Sequence, residues 1–395
     1  MKSPNWFPLL FASLTLLAGK AQAADYMLGA DLSSTPQAEA RGVKFSSNGK
    51  AEDLLPLLHD HGFNWVRIRI FEDPKAADGY SREGYCDLGH TLAMARRIQA
   101  AGMKFLLDFH YSDTWADPAH QTKPAAWKEK HGPELEKAVH DYTASVLAAL
   151  AKQGTPPDMV QTGNEINHGL LWPDGQPWKL GSWDSLCGLL NAAISAVREI
   201  TPQAKVMLHV ATGGRNQETC EFFDHLRAHH VAFNVIGLSY YPRWDGPLEN
   251  LKRNLANLLT RYPQPIVVVE YSAPQLREIN DAIHALPHGK GLGSFIWEPA
   301  HWGGPALFER DGKAKPTLEL YPQMAQDYGI HFTVKSPRKR EPAVTIRPWH
   351  KPCEIHEKGG SLLFLATWRL GGENLRLQPA SRATRSCRVA SCPLR

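Results

Sequence analysis

The sequence predicts an α/β fold of the (β/α)8 TIM barrel type, and three observations lead to it. Short apolar segments alternate with helical segments from residue 26 onward, over about 300 residues. Eight such apolar segments can be distinguished, which is the number of strands that a closed parallel barrel needs. No Gly-x-Gly-x-x-Gly pattern follows any of them, although the competing doubly wound open sheet commonly carries one. A closed barrel is therefore favoured over an open sheet.

Each predicted strand is short and is followed by a segment with helical periodicity. The strands are expected at Tyr26–Asp31, Trp65–Phe71, Lys104–Phe109, Met159–Thr162, Lys205–His209, Val235–Ser239, Ile266–Glu270 and Gly293–Trp297. The helices are expected at Ala51–Asp60, Leu88–Ala101, Pro133–Gln153, Trp183–Ile200, Cys220–His229, Leu248–Tyr262, Gln275–Leu286 and Thr317–Gln326. Because barrel strands run parallel, the residues that follow them should gather at one face of the barrel.

The two ends of the chain do not follow the barrel pattern. Residues 1–23 are typical of a secretory signal peptide, with an apolar core at Trp6–Ala18 and a small-x-small cleavage site at Ala21–Ala23. The barrel domain is expected at 24–335, with no membrane span, in a protein that is secreted or periplasmic. Residues 336–395 form an irregular basic C-terminal tail, for which disorder is favoured over an appended module, a linker or a misread frame.

Charge and cysteine content exclude some classes of function. The net charge of +4 arises in the tail, and no basic face with interleaved aromatic residues indicates a nucleic-acid partner. Six cysteines permit disulfides in an exported protein, but only Cys86, Cys187 and Cys220 fall in the barrel region, so at least one of them cannot pair there. No metal site is expected, because the cysteine spacing does not fit zinc and Asp108 with His110 lacks a second clustered histidine.

The stretch Met159–Pro173 is the first candidate for chemistry. Its apolar start reads as a strand, and Asn164 and Glu165 stand at the exit of that strand, where barrel enzymes assemble their active sites. A helix cap or a surface pair is the alternative reading of such an Asn-Glu pair. Asn164 offers an amide that can hold a sugar hydroxyl, and Trp172 offers a ring on which a sugar can stack. This setting favours a carbohydrate site.

A second carboxylate, Glu270, ends its predicted strand in the same way. A carboxylate after three valines is costly to bury unless it is paired or faces a cleft. A structural ion pair to Arg67 or Arg69 is the alternative, and it is compatible with chemistry because an arginine keeps a nucleophilic carboxylate ionised. Two carboxylates at the ends of two buried strands are the catalytic groups that a retaining glycosidase requires, and in such enzymes they lie ~5–5.5 Å apart.

Polar and aromatic side chains follow other predicted strands as well. Asp108 can orient His110, and a tyrosine at 240 or 241 can donate to a nucleophilic carboxylate. Each aromatic residue alone is more often a packing residue, but several strand ends rich in Trp, Tyr and His favour a sugar-binding cleft. No Gly-x-Ser-x-Gly elbow or Walker pattern offers another chemistry. The candidates to contact the substrate from these strands and their ends are Arg67, Arg69, Asp108, His110, Trp115, Tyr240, Tyr241 and Trp297.

Seven motifs carry a resemblance to a known family. In order along about Tyr26 to Tyr328 they are Gly29-Ala-Asp-Leu-Ser33, Gly42-Val-Lys-Phe45, Asp108-Phe-His-Tyr-Ser-Asp-Thr-Trp-Ala-Asp-Pro118, Gln161-Thr-Gly-Asn-Glu165, Leu171-Trp-Pro173, Ser239-Tyr-Tyr-Pro242 and Trp297-Glu-Pro299. Together they resemble the arabinogalactan endo-β-1,4-galactanases of glycoside hydrolase family 53. The resemblance implies a clan A barrel that cleaves β-1,4-galactan, the side chains of pectic type I arabinogalactan, with retention. It also implies that Glu165 is the acid/base and Glu270 the nucleophile.

The resemblance further implies a polysaccharide substrate, no cofactor, and no nucleic-acid or membrane partner, and we expect a monomer. It also implies that the cleft is lined by Asn164, Asp108, His110, Trp115, Tyr240 or Tyr241, and Trp297. Calcium, which some bacterial members bind in a long loop after the nucleophile, is not carried over: that segment has only about 22 residues here, and 272–288 shows no cluster of Asp and Asn. The alternatives are another clan A β-glycanase, acting on mannan or xylan, and a secreted sugar-binding barrel without turnover.

Overall fold

Eight parallel strands close a barrel in the computed structural model, which describes residues 26–272, 274–300 and 307–330. Each strand pairs with the next along the chain, and the first closes on the last. The predicted barrel is confirmed, and every predicted strand overlaps an observed one. The strands are β1 (Met27–Asp31), β2 (Trp65–Ile70), β3 (Lys104–Phe109), β4 (Met159–Thr162), β5 (Lys205–Val210), β6 (Val235–Tyr240), β7 (Ile266–Tyr271) and β8 (Gly291–Ile296).

A helix follows each strand along the chain. These helices are α1 (Leu54–Asp60), α2 (Leu88–Ala101), α3 (Gly132–Gln153), α4 (Asp184–Ile200), α5 (Asn216–Ala228), α6 (Leu248–Arg261), α7 (Leu276–His284) and α8 (Leu320–Asp327). Shorter helices occupy Thr35–Ala40, Pro177–Leu180 and Pro242–Asp245. The first long helix begins later than predicted because Asp53 caps it, accepting a hydrogen bond from the backbone N–H of Leu55 at 3.0 Å.

The side chains that point into the barrel change character along the strands. Near the amino-terminal ends they are apolar and form one core cluster inside the barrel, separate from the larger core between strands and helices. Two residues further along the same strands they are polar: Trp65 is followed by Arg67, Leu106 by Asp108, Met159 by Gln161 and Met207 by His209. The inner cluster consists of Met27, Trp65, Leu106, Met159, Met207, Val235, Val267, Val269 and Phe295. The barrel is thus closed by an apolar layer below and a polar layer above.

Close packing at the seam between β1 and β8 depends on a glycine. Gly29 pairs with Phe295 across this seam, and a Cβ atom added to Gly29 would lie 2.3 Å from Cδ1 of the Phe295 ring. The ring of Phe295 also meets that of Trp65 edge to face, with 6.2 Å between the centroids. The inner apolar layer therefore requires glycine at position 29.

Two predictions concern the ends of the chain, and both lie outside the described residues: the signal peptide at 1–23 and the tail at 336–395. In the part of the chain that the structure describes, Cys86, Cys187 and Cys220 are buried and free. No described helix combines the length and the apolar character that a membrane crossing requires.

Candidate active site

Glu165 is presented by a sharp turn after β4. Gly163 has φ +94°, and Glu165 itself has φ 50° and ψ 50°, in the left-handed region that non-glycine residues seldom adopt. Such strained backbone conformations are concentrated at functional sites. The Ser239 hydroxyl, at the end of β6, donates a hydrogen bond of 2.6 Å to Glu165 Oε1. The turn and this hydrogen bond together fix the direction of the carboxyl group.

Glu270 reaches the same place from β7. Its Oε1 accepts a hydrogen bond of 2.8 Å from Arg67 Nη1, and its Oε2 accepts one of 3.2 Å from the Tyr241 hydroxyl. The predicted arginine partner of Glu270 is therefore Arg67, whereas Arg69 binds Glu298 at 2.5 Å. Both oxygens of Glu270 are held, so its orientation is set before a substrate arrives.

The two carboxylates approach each other closely. One oxygen of Glu165, one oxygen of Glu270 and one ring nitrogen of His209 all lie within 4.8 Å of one another. This spacing is shorter than the ~6.5–9.5 Å that inverting glycosidases need to admit a water between their carboxyl groups. The three residues are poorly placed for a metal ion, because His209 Nε2 already lies 2.8 Å from Ser239 Oγ and Nδ1 lies 3.0 Å from Asn164 Oδ1.

The Arg67 guanidinium organises the polar layer of the barrel. Its side chain is fully buried, and all of its N–H groups are directed at oxygen atoms from other strands or from the turn after β4. A guanidinium in this environment stays charged, and its pKa is raised by the carboxylates around it although burial alone would lower it. Its partners are Asp31 at 3.1 Å, Asp108 at 2.8 Å, Gln161 at 3.2 Å, Asn164 at 2.8 Å and Glu270 at 2.8 Å.

Burial and charge separate the pKa values of the two candidate carboxyl groups. Burial, reinforced by the negative charge of Glu270, raises the pKa of Glu165 to about 8. Burial also raises the pKa of Glu270, to about 7, and the attraction of Arg67 opposes this rise. His209 stays neutral, because burial and then Arg67 hold its pKa well below the ordinary value. As the pH rises, Glu270 therefore loses its proton before Glu165 does.

The carboxylates open into a cleft of about 1140 Å³ at the carboxyl ends of the strands. Of the residues predicted from the sequence, four line it: Glu165, Glu270, Tyr241 and Trp297. Tyr241 is only partly buried, as a cleft residue should be, whereas Tyr240 is fully buried and donates a hydrogen bond of 2.9 Å to the carbonyl of Gly246.

The other predicted residues do not line this cleft. Four of them are essentially inaccessible to solvent and lie beneath the surface of the cleft: Arg67, Arg69, Asp108 and His110. The reason is that these inward-facing side chains are engaged with one another and with buried carboxylates, Arg67 with Asp108, Arg69 with Glu298 and His110 with Asp108. Trp115 packs against Trp297, with 5.9 Å between the ring centroids. Asn164 is buried among Arg67, Gln161 and Ala116, and Trp172 lines a separate surface depression.

Sequence reasoning missed other residues of this site. Ser239 and His209 form a hydrogen-bonded chain to Glu165. Both residues occupy inward positions of their strands, and this alternation was the signal in the sequence that could have identified them. Arg215, Arg243 and Trp244 line the cleft. Trp244 stands just after the Ser-Tyr-Tyr-Pro motif, which is a signal for it, whereas nothing around Arg215 in the sequence marks that residue.

A parallel barrel that holds two glutamates at this separation above an aromatic-lined cleft defines a glycoside hydrolase. Comparison with known proteins agrees. Residues 27–278 match the family model described as Glycosyl hydrolase family 53. The chain belongs to this family, as its motifs predicted.

Relatives and solved structures share most of the chain. An arabinogalactan endo-beta-1,4-galactanase A of Aspergillus niger is 32% identical over 336 residues, which cover 76% of this chain and 92% of the relative. An endo-beta-1,4-galactanase of Bacillus subtilis is 34% identical over 311 residues, which cover 70% of each chain. The solved GH53 catalytic domain of Ignisphaera aggregans is 33% identical and superposes with a TM-score of 0.69, covering 75% of this chain and 95% of that one.

Proposed function

We propose that the protein is an exported endo-β-1,4-galactanase that cleaves β-1,4-galactan, as found in type I arabinogalactan, with retention of anomeric configuration. The carboxylate pair carries the proposal: oxygens of Glu165 and Glu270 within 4.8 Å of each other suit double displacement and leave no room for an intervening water. The galactan specificity is suggested by what the relatives named above are called. Export rests on the leader pattern of residues 1–23.

In the first step Glu270, ionised, attacks the anomeric carbon of the sugar. Arg67 and Tyr241 hold its two oxygens, so the nucleophile keeps one direction relative to the cleft. Glu165 gives its proton to the leaving O4 oxygen of the departing sugar. Because Ser239 donates to Oε1 of Glu165, we assign the acidic proton to Oε2. A covalent glycosyl–enzyme ester forms, and the first product leaves.

In the second step Glu165 acts as the general base, and the carboxylate of Glu270 is the leaving group. Once Glu270 is esterified its negative charge is gone, and the pKa of Glu165 falls because that charge had helped to raise it. Glu165 then accepts a proton from water, which attacks the ester and releases the second product with the original configuration. No cofactor takes part in either step.

The test is the release of reducing ends from β-1,4-galactan, with mannan and xylan in parallel. We expect cleavage of galactan only, loss of at least about 10⁴-fold in Glu270→Ala, and retention of activity in Glu165→Ala only for substrates with very good leaving groups. Azide should rescue Glu270→Ala and give a galactosyl azide of inverted configuration. Glu249→Ala, which changes an exposed glutamate of α6, is the control and should behave as wild type. Near-normal turnover of Glu270→Ala would refute the assignment.

A further inference from the structure

Two tryptophans of the segment that follows Glu165 face a second surface feature. Trp172 and Trp178 line a shallow depression of about 540 Å³, together with His168, Gln176, Lys179, Glu218 and Glu221. We call it the tryptophan depression. It is distinct from the catalytic cleft, with which it shares no lining residue.

Both indole rings are fixed in place before any ligand binds. The Trp172 N–H donates to the carbonyl of His168 at 3.1 Å, and the Trp178 N–H donates to the carbonyl of Asn167 at 3.2 Å. Trp178 also packs edge to face on Trp183, with 5.1 Å between the centroids, yet 45% of its surface is exposed. A rigid, exposed aromatic ring of this kind loses little conformational entropy on binding and offers an apolar face.

The polar side chains around these rings suit a neutral polyhydroxy ligand. Among the described residues, Gln176, Lys179 and Glu221 make no side-chain hydrogen bond, so they present both donors and acceptors to a ligand. Glu218 is already paired with Arg215 at 2.6 Å, and the two remaining charged side chains, Lys179 and Glu221, carry opposite charges, so no strong excess of one sign selects a charged polymer. Aromatic faces beside mixed hydrogen-bonding groups match the apolar and hydroxylated surfaces of a sugar ring.

The depression is connected to the catalytic cleft by shared side chains. Arg215 lines the cleft and also an intermediate depression of about 430 Å³. Glu218 and Glu221 line that intermediate depression and the tryptophan depression. A continuous surface track therefore runs from the cleft past Arg215 to Trp178. Arg215 follows β5, which pairs with β4, the strand that leads into Glu165. The track therefore begins on the side of Glu165, the residue assigned to protonate the leaving group.

We propose that the tryptophan depression is a distal binding surface for the β-galactan chain that occupies the cleft, on its leaving-group side. This inference rests on the proposed function. Long chains gain an additional contact there, whereas substrates that end inside the cleft gain nothing. The surface consequently raises the affinity for polymer without changing the chemical step.

Trp178→Ala tests the inference, with Leu180→Ala as the matched control. Leu180 belongs to the same short helix, is 51% exposed and lines none of the three depressions. With polymeric galactan, Trp178→Ala should raise KM by roughly three- to tenfold at unchanged kcat. With an aryl β-1,4-galactobioside, kcat/KM should equal that of wild type. Trp178→Tyr, which keeps an aromatic face, should restore much of the affinity for polymer.

Affinity electrophoresis through gels that contain galactan gives a second readout, in the Glu270→Ala background to prevent digestion. Retardation should weaken in Trp178→Ala and persist in Leu180→Ala. An unchanged KM for polymer, or equal losses on polymer and aryl galactobioside, would overturn the inference. If wild type failed to cleave galactan, the proposed function would fail instead, so the two failures are distinguishable.

Discussion

At the scale of single residues, the proposed mechanism depends on the proton that Glu165 carries. The carboxyl group is buried, faces the charge of Glu270, and accepts a hydrogen bond from Ser239. The first two influences raise its pKa and the third lowers it, so the ionisation of Glu165 depends on neighbours from two other strands.

The pH dependence of kcat/KM should therefore be bell-shaped. In the proposed mechanism Glu270 must be ionised, so activity should fall below about pH 7, and Glu165 must be protonated, so activity should fall above about pH 8. In Glu165→Gln, assayed with a dinitrophenyl galactobioside, the alkaline limb should vanish while the acidic limb remains. An alkaline limb that persists in Glu165→Gln would assign that limb to another group.

Ser239→Ala should move the alkaline limb to higher pH. The Ser239 hydrogen bond lowers the pKa of Glu165, so its removal raises that pKa further. Turnover at pH 7 should fall by about tenfold, because a hydrogen bond to an ionisable carboxyl group that also orients it is lost. Ser294→Ala, which removes a buried hydroxyl that donates to Asn280 on the far side of the strands, is the control. It should leave the pH profile unchanged.

The sequence pointed to the two glutamates that we propose as the reacting groups, but not to all of their neighbours. Glu165 and Glu270 were identifiable because each ends a short apolar strand, and all strands of a parallel barrel end at one face. Arg67 and Arg69 occupy equivalent inward positions two residues apart, so periodicity alone does not decide which of them meets Glu270. The partner is decided by the depth of each residue in the barrel, which depends on the stagger of neighbouring strands. Tyr240 and Tyr241 are similarly ambiguous, since the β6–β7 pairing is irregular near Ser239.

At the scale of elements, strand interiors were more predictable than element ends. β3 and β4 match their predictions at both ends, because apolar runs bounded by polar residues define them. α5 begins at Asn216 rather than at Cys220, because its first turn is polar and carries no apolar periodicity. The starts of α1 and α5 were set by the Asp53 cap and by a polar first turn, which a hydrophobic pattern does not encode.

Arg67 joins β2 to its neighbours, and Arg67→Met should weaken the fold as well as the chemistry. The substitution leaves Asp31, Asp108 and Glu270 buried without their shared cation, so unfolding free energy should fall by about 3–5 kcal/mol. Denaturant titration followed by fluorescence measures the change. Arg277→Gln breaks exposed ion pairs to Asp281 and Asp327 instead, and should cost at most about 1 kcal/mol. Similar losses in the two variants would contradict the role of Arg67.

At the scale of the whole molecule, closure of the barrel depends on the seam between β1 and β8. Gly29→Ala should destabilise the protein by about 1–3 kcal/mol, because the new methyl group overlaps the Phe295 ring. The double variant Gly29→Ala/Phe295→Leu should recover part of that loss, as a smaller, flexible side chain makes room. Thermal unfolding of the four proteins of this cycle measures the coupling energy. Strictly additive losses would show that the ring is not the obstacle.

The contacts of the Arg67 side chain predict how the enzyme should behave when its barrel is divided into two fragments. Its partners come from β1, β3, β4, the turn after β4, and β7, so they span most of the circumference of the barrel. Neither of two fragments divided after α4 would contain the whole set, because Glu270 would be separated from its arginine. Half-barrels of this protein should accordingly be inert when alone, and mixing them should restore hydrolysis only to the extent that they reassemble.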